Sequence, residues 1–301
     1  MNAPDSQAVG VAGLGSMGSG MAQSLLRAGL STWGFDVDDT RVAAFRKLGG
    51  AQGSLSEIAG RLDALLIVVV TGAQMEDLLF GATGVASRMK KGALIIGSPT
   101  VPPDLARRVE SRLGELGLLY LDAPISGGAV KAAEGALTMM VSGRPEAMAA
   151  ARPFLAALAT EVFELGDTAG PASAMKVINQ LLAGVHIASA AEAITFALSQ
   201  GIAPARTVEV ISKCAGTSWM FENRGPHIVD GDYTPRSAVD IFIKDLGIVT
   251  ETARAARFPV PMAATALQQF VAAGGSGFGR EDDAAVAKVY ARNAGLKLPG
   301  E

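Results

Sequence analysis

Residues 8–36 read AVGVAGLGSMGSGMAQSLLRAGLSTWGFD. The apolar run 8–12 leads into Gly13-Leu14-Gly15-Ser16-Met17-Gly18, and a helical pattern follows over 19–28. Gly29 sits just past that helix, where a left-handed cap is favoured. A second strand, 32–35, ends in Asp36. A bare Gly-x-Gly-x-x-Gly is weak evidence, because glycine-rich turns are common. Here strand, glycines, helix, second strand and acidic residue fall in register. Gly13 permits the tight turn, Gly15 lets the backbone approach a pyrophosphate, and Gly18 allows close helix–strand packing. The helix N-terminus offers the phosphates free N–H groups and a favourable dipole. Asp36 can accept hydrogen bonds from a ribose 2′-hydroxyl and would repel a 2′-phosphate, so NAD is expected over NADP. Gly13, Leu14, Gly15, Ser16, Met17, Gly18 and Asp36 are therefore the expected cofactor-binding residues.

Outward from this stretch the strand–helix alternation continues. Residues 41–48 read as helix, 64–70 as a strand buried on both faces, and 74–80 as helix. Residues 94–97 read as strand, 102–116 as helix and 118–121 as strand. This is the doubly wound parallel α/β pattern of a Rossmann sheet. In such sheets ligands bind beyond the carboxyl ends of the strands. Val69-Val70-Thr71 and Ser98-Pro99-Thr100 lie there, so Val69, Val70 and Thr100 are expected cofactor contacts. Asp122-Ala123-Pro124-Ile125-Ser126-Gly127-Gly128 also follows a strand end. It supplies a hydroxyl and two amides without side chains, and consecutive N–H groups in a turn can form an anion nest suited to a carboxylate. Residues 137–142 and 161–165 read as further strands around a helix over 145–158. The first domain is expected over 1–166.

From Gly170 the texture changes. GPASAMKVINQ (170–180) opens an Ala/Leu/Ile-rich helical pattern that runs to about Gln200, roughly 30 residues or about 45 Å. Such a length fits a helix joining two domains. Helices are expected over 204–213, 238–256, 262–273 and 283–290, with no strand pair after Leu165, giving an all-α second domain over 167–301. Lys176 precedes Asn179 and Gln180 by three and four residues, spacings that share a helix face. The ammonium and the two amides thus form one polar cluster. Asp240 and Lys244, four apart, have the spacing of a helix ion pair. His227 beside Pro226 reads as a structural histidine in a loop, and Asp282 and Asp283 as residues favouring a helix N-terminus. Trp219 and Phe221 fit a pocket wall, the core or a subunit interface. His186 falls off the Lys176 face and reads as packing.

The bulk numbers agree. A chain of 301 residues is comfortable for two domains. Apolar residues make up 49% and charged residues 18%, a globular composition with ample core material. Net charge is −3 with no basic stripe, so no nucleic-acid partner is expected. The single cysteine, Cys214, excludes an intrachain disulfide framework and fits a reducing compartment. Two histidines without ligand spacing give no metal site. No secretory signal is read at the N-terminus, and the most apolar run, 64–70, is too short to span a bilayer. A cytoplasmic protein without a membrane partner is expected.

Four ordered blocks carry a family resemblance: GLGSMGSGMAQSLLRAG (13–29), DAPISGG (122–128), GPASAMKVINQ (170–180) and FIKDLGI (242–248). With them the chain resembles the β-hydroxyacid dehydrogenase family over nearly its whole length. The resemblance implies a Rossmann domain, a long interdomain helix, an all-α oligomerising domain, and NAD(P)-dependent oxidation of a small hydroxy acid. It implies a homodimer or homotetramer. By motif match, Lys176 takes the position of the catalytic lysine. Ser126, Gly127 and Gly128 take the substrate-carboxylate positions, Lys244 that of the lysine near the nicotinamide, and Thr100 that of a cofactor-contacting threonine. Two positions depart from the pattern: Ala172 stands where glycine is usual, and Gln180 where asparagine is frequent. The segments 180–188, 218–224, 230–247 and 278–286 are similar to the branch that oxidises the C2 hydroxyl of four-carbon sugar acids such as L-threonate. Asn179 and Gln180 are accordingly expected to bind substrate. The alternatives are glycerate, tartronate semialdehyde or 3-hydroxyisobutyrate as substrate, or a non-catalytic dinucleotide-binding adaptor. Oxidation removes a hydroxyl proton as hydride leaves the same carbon, and a buried lysine near positive charge can accept that proton.

Overall fold

The structure is a computed structural model that describes residues 7–300. The described residues divide into two compact units, one ending at Lys176 and the other beginning at Val177.

The first unit begins β1 (Ala8–Ala12), α1 (Ser16–Arg27), β2 (Ser31–Phe35), α2 (Asp39–Lys47), α3 (Leu55–Ile58), β3 (Ala64–Ile67) and α4 (Gly72–Phe80). It continues β4 (Leu94–Gly97), α5 (Pro103–Glu115), β5 (Leu119–Asp122), β6 (Ile125–Ser126), α6 (Gly128–Glu134), β7 (Leu137–Val141), α7 (Pro145–Leu158) and β8 (Ala159–Glu164). The first five strands form one parallel sheet in the order β2-β1-β3-β4-β5, so the strand order reverses between β1 and β3. Successive strand residues face opposite sides, and both sides are buried. Leu66, Leu94 and Ile96 join Met21, Leu25 and Phe154 in one core cluster. Leu65, Ile67 and Ile95 join Met75, Val109 and Leu113 in another. Helices thus cover both faces, as a doubly wound sheet requires. The remaining strands form a separate sheet, β6-β7-β8, antiparallel then parallel.

The expected strand 64–70 is shorter than its apolar run. β3 stops at Ile67, level with the ends of β1 and β4. Val70 is 51% exposed, and its N–H, with that of Thr71, binds Gln74 Oε1 in a capping box that starts α4. Val68 still donates to the Ala12 carbonyl at 2.8 Å, and Val68 and Val69 pack against the two core clusters, so only Val70 is given up to solvent.

α8 (Pro171–Ser199) starts in the first unit and runs on into the second, where α9 (Pro204–Ile211), α10 (Trp219–Asp230), α11 (Val239–Ala255), α12 (Pro261–Ala273) and α13 (Val286–Asn293) follow. Their core joins Ile187, Ala191 and Ile194 to Phe242, Leu246 and Phe270. A Cβ on Gly184 would sit 2.8 Å from Leu246, so this glycine lets α11 approach α8 closely. α8 is the one described helix long and apolar enough to cross a membrane, and its apolar side chains Ala183, Ile187, Ala191 and Ile194 are buried in this core.

Two expectations in this unit are corrected. α10 was not foreseen, because Gly225-Pro226 reads as a chain breaker. His227 consequently lies inside a helix, 3% exposed, with Nδ1 2.8 Å from Asp282 Oδ1. Asp282 does cap the short 3₁₀ turn Asp283–Ala285, but Asp283 is spent on a bidentate pair with Arg224.

Candidate functional site

The turn after β1 has the form its glycines require. Gly13 has φ +97°, and a Cβ there would lie 2.4 Å from the Val68 carbonyl oxygen. A Cβ on Gly18 would lie 1.8 Å from the Gly13 carbonyl oxygen, which only a bare helix face permits. Gly15 is the open one: the nearest atom to a Cβ there is an Arg41 guanidinium nitrogen at 4.0 Å. Gly15 is the N-cap of α1 and supplies no side-chain acceptor to the first turn, which Ser16 opens. The N–H groups at this end are thus left for an outside acceptor, and an anion fits there. Leu14 and Met17 pack into the core with their side chains.

The Leu14 N–H is already engaged, donating to Asp36 Oδ2 at 2.6 Å. Asp36 Oδ1 accepts from the Asp38 N–H at 3.0 Å, and Arg41 stands 3.5 Å from Oδ2. Burial pushes this carboxyl up, but the two N–H donors and the Arg41 charge outweigh it and hold Asp36 below its ordinary value. Val69 is half-buried, Val70 exposed and Thr100 half-buried, all past strand ends at the β1/β3 side or the next strand. Beside Thr100, the buried Ser98 Oγ has no hydrogen-bond partner, an orphaned donor of the kind a bound ligand satisfies.

Ser126 is not in a turn. It lies in β6, paired with Thr138 of β7, and Gly127 (φ +135°) and Gly128 (φ +78°) then open α6. Both glycines hold backbone that other residues adopt only with strain. Asp122, four residues before Ser126, ties the chain to the start of α8, a role that nothing in the local sequence marks. Its side chain is fully buried. Oδ2 accepts from the Gly170 N–H at 3.0 Å and the Ser173 N–H at 2.9 Å, and Oδ1 accepts from Ser173 Oγ at 2.7 Å. Ser142 Oγ lies 3.4 Å from Oδ2 and accepts from the Ala172 N–H at 3.0 Å. Asp122 and Ser142 together cap α8 from outside the helix. Burial raises the Asp122 pKa, and these donors oppose it. Lys176 follows one turn after Ser173 and is 8% exposed.

In the second unit, Gln180 Nε2 donates to Asp245 Oδ2 at 2.5 Å, and Asn179 Nδ2 donates to Gln180 Oε1 at 2.9 Å. Lys244 Nζ donates to Asp245 Oδ1 at 2.5 Å. Lys244 thus pairs with its neighbour Asp245, although Asp240 has the spacing of a helix ion pair. Asp245 was not foreseen either, since one acidic residue beside a lysine in a helix carries no signal of burial. Phe221 belongs to the core and Trp219 is 63% exposed. His186 is half-buried. Among the described residues no group of three His, Cys, Asp or Glu side chains could hold a metal.

Two family models match the chain: the NAD binding domain of 6-phosphogluconate dehydrogenase over residues 8–166, and the NAD-binding region of NADP-dependent 3-hydroxyisobutyrate dehydrogenase over residues 170–290. An L-threonate dehydrogenase of Cupriavidus necator is 51% identical over 98% of this chain and 99% of its own length. One of Escherichia coli K12 is 49% identical over 97% of this chain and 96% of its own. A crystal structure described as 3-hydroxyisobutyrate dehydrogenase, from Salmonella typhimurium, superposes with a TM-score of 0.89 at 52% identity, covering 94% of this chain and 99% of that one.

Proposed function

The chain belongs to the β-hydroxyacid dehydrogenase family, and on that premise we propose that it oxidises L-threonate at C2 to the 2-oxo acid with NAD⁺. The observation that carries the substrate is the near-full-length likeness, at about half identity, to enzymes named L-threonate dehydrogenase. When bound, NAD⁺ supplies the hydride acceptor. Gly13, Gly15 and Gly18 shape its turn, with the α1 N-terminus at Ser16 and Met17 meeting the pyrophosphate. Asp36 takes the ribose hydroxyl and makes the cofactor NAD. Val69, Val70, Thr100 and Lys244 complete the cofactor contacts. Ser126 and the amides of Gly127 and Gly128 hold the substrate carboxylate. Lys176 accepts the C2 hydroxyl proton, and Asn179 and Gln180 bind the rest of the substrate. In this reading residues 1–166 bind the cofactor and 167–301 serve substrate and assembly.

Appearance of NADH absorbance with L-threonate, much less with 3-hydroxyisobutyrate or glycerate, and little NADH consumed with tartronate semialdehyde, is the expected result. A preference for 3-hydroxyisobutyrate, the substrate in the description of the Salmonella typhimurium structure, would replace threonate. No NADH with any acid would favour the adaptor reading. We place the enzyme in the cytoplasm, because its one cysteine, Cys214, is free and exposed, as a reducing compartment allows. A homodimer or homotetramer would cover the exposed apolar side chains Phe196, Phe258 and Met262 of the second unit.

A further inference from the structure

Lys244, Asp245, Gln180 and Asn179 form one hydrogen-bonded line within the second unit. The direction of each bond in it is chemically fixed. An ammonium only donates, and the carboxylate of an ion pair only accepts. Asp245 is 2% exposed and has one oxygen on Lys244 and the other on Gln180. The end of Gln180 that meets Asp245 must therefore be its NH₂, and its Oε1 must point the other way. The part of Asn179 that meets Oε1 must again be NH₂. What remains is Asn179 Oδ1, an acceptor that takes no part in this line of bonds. Flipping either amide sets acceptor against acceptor and leaves a polar atom unpaired beside a buried carboxylate, which is costly.

We propose that Gln180 is a positioning residue, which turns the Asn179 amide so that its carbonyl oxygen reads a hydroxyl donor on the substrate. This rests on the hydroxy-acid reading above and revises one part of it: Gln180 does not touch the substrate. Asn179 is half-buried and stands three residues beyond Lys176 on the same helix, so the hydroxyl it reads is the one next to the reacting carbon. A fixed carbonyl rewards a polyhydroxy acid and gives nothing to an acid whose neighbouring carbon bears no donor. The position where the chain leaves its family's frequent asparagine thus sets substrate choice indirectly. Glutamine reaches the Asp245 carboxylate while still holding the amide of its neighbour.

The test is a double-mutant cycle on the full-length enzyme: wild type, Asn179→Ala, Gln180→Met and the double variant. For each, kcat/KM is measured with L-threonate and with 2,4-dihydroxybutanoate, its 3-deoxy analogue. Wild type is expected to prefer threonate by about 10–100-fold, the worth of one hydrogen bond to a positioned group. Each single variant loses most of that preference, and the double variant loses no more, because both changes break one interaction. Multiplying losses in the double variant would mean that Gln180 makes its own substrate contact, and retained preference in Gln180→Met would mean that it positions nothing. Either result overturns the proposal. Gln180→Glu adds a readout that a packing defect would not show. Its carboxylate opposes Asp245 when ionised and can donate to it when protonated, so its kcat/KM for threonate should recover, relative to wild type, as pH falls. No relative recovery counts against the relay. If wild type turns over a different hydroxy acid, the substrate reading fails separately, and the same cycle on that acid and its deoxy analogue still decides the relay.

Discussion

Asp36 keeps its charge because the Leu14 and Asp38 amides and the Arg41 guanidinium all face its carboxylate. Its pKa lies below the ordinary 3.8, so the anion is present at any pH above that value. The ratio of kcat/KM for NAD⁺ to that for NADP⁺ should therefore stay flat from about pH 7 to pH 9, measured at fixed ionic strength, and should fall below about pH 6 only as the NADP⁺ 2′-phosphate takes up its proton. Asp36→Asn removes the repulsion and leaves Arg41 beside the ribose position. It should raise NADP⁺ usage relative to NAD⁺ by about tenfold or more. Lys176→Ala should lower kcat by about 10²–10⁴-fold, the usual worth of a general base. NAD⁺ affinity, followed by nucleotide titration, should hardly move, and turnover near the wild-type rate would remove Lys176 from the mechanism. Both residues stand out as candidates in the sequence because each sits in a motif with local spacing. Asp245 and Asp122 were not, since their partners lie 65 and about 50 positions away in the chain, and nothing local in a sequence records such a pairing.

Elements here are held as much by buried polar contacts as by apolar faces. Asp122→Ala would strand the Gly170 and Ser173 amides at the start of α8 and should cost about 3 kcal/mol of stability in denaturant unfolding. Asp122→Asn should cost less. Its carbonyl can accept from both amides while its NH₂ donates to Ser173 Oγ. In the second unit, Arg224 and Asp283 form a fork of 2.5 and 2.9 Å with both side chains nearly fully buried. Arg224→Met leaves a buried carboxylate alone and should cost about 3–5 kcal/mol. Adding Asp283→Leu should return much of that loss, and equal destabilisation of single and double variants would refute the pairing argument. The same scale shows where pattern reading stops. Periodicity found the sheet strands and α8, α11 and α12, because their apolar spacing is regular. It lost α10 to Pro226, whose helix is held by packing, with Gly225 lying against Val208. It overran β3, because apolar residues 68–70 look the same whether they extend a ladder or lead into a cap.

At the scale of the whole molecule, α8 is long and apolar enough to cross a membrane, yet its Ala183, Ile187, Ala191 and Ile194 are buried in a protein core while Met175, Ile178, Leu182 and Phe196 are exposed. After cell lysis and high-speed centrifugation the chain should remain in the supernatant, and recovery in the membrane pellet would count against the packing described. Fold class and chemistry were readable because glycines, strand ends and the lysine helix follow one another in a fixed order. The second sheet was not foreseen as a separate layer, because strand propensity does not say which neighbour a strand joins. The clasp of Asp122, Ser142 and Ser173 has a further consequence for how this chain can diverge. None of the three can lose its polar side chain alone without leaving a partner unmet, so they behave as a single heritable unit. A lineage could exchange the acidic and hydroxyl roles between positions 122 and 173 only by way of a less stable intermediate, and that valley would keep the trio together while the surface around it drifts.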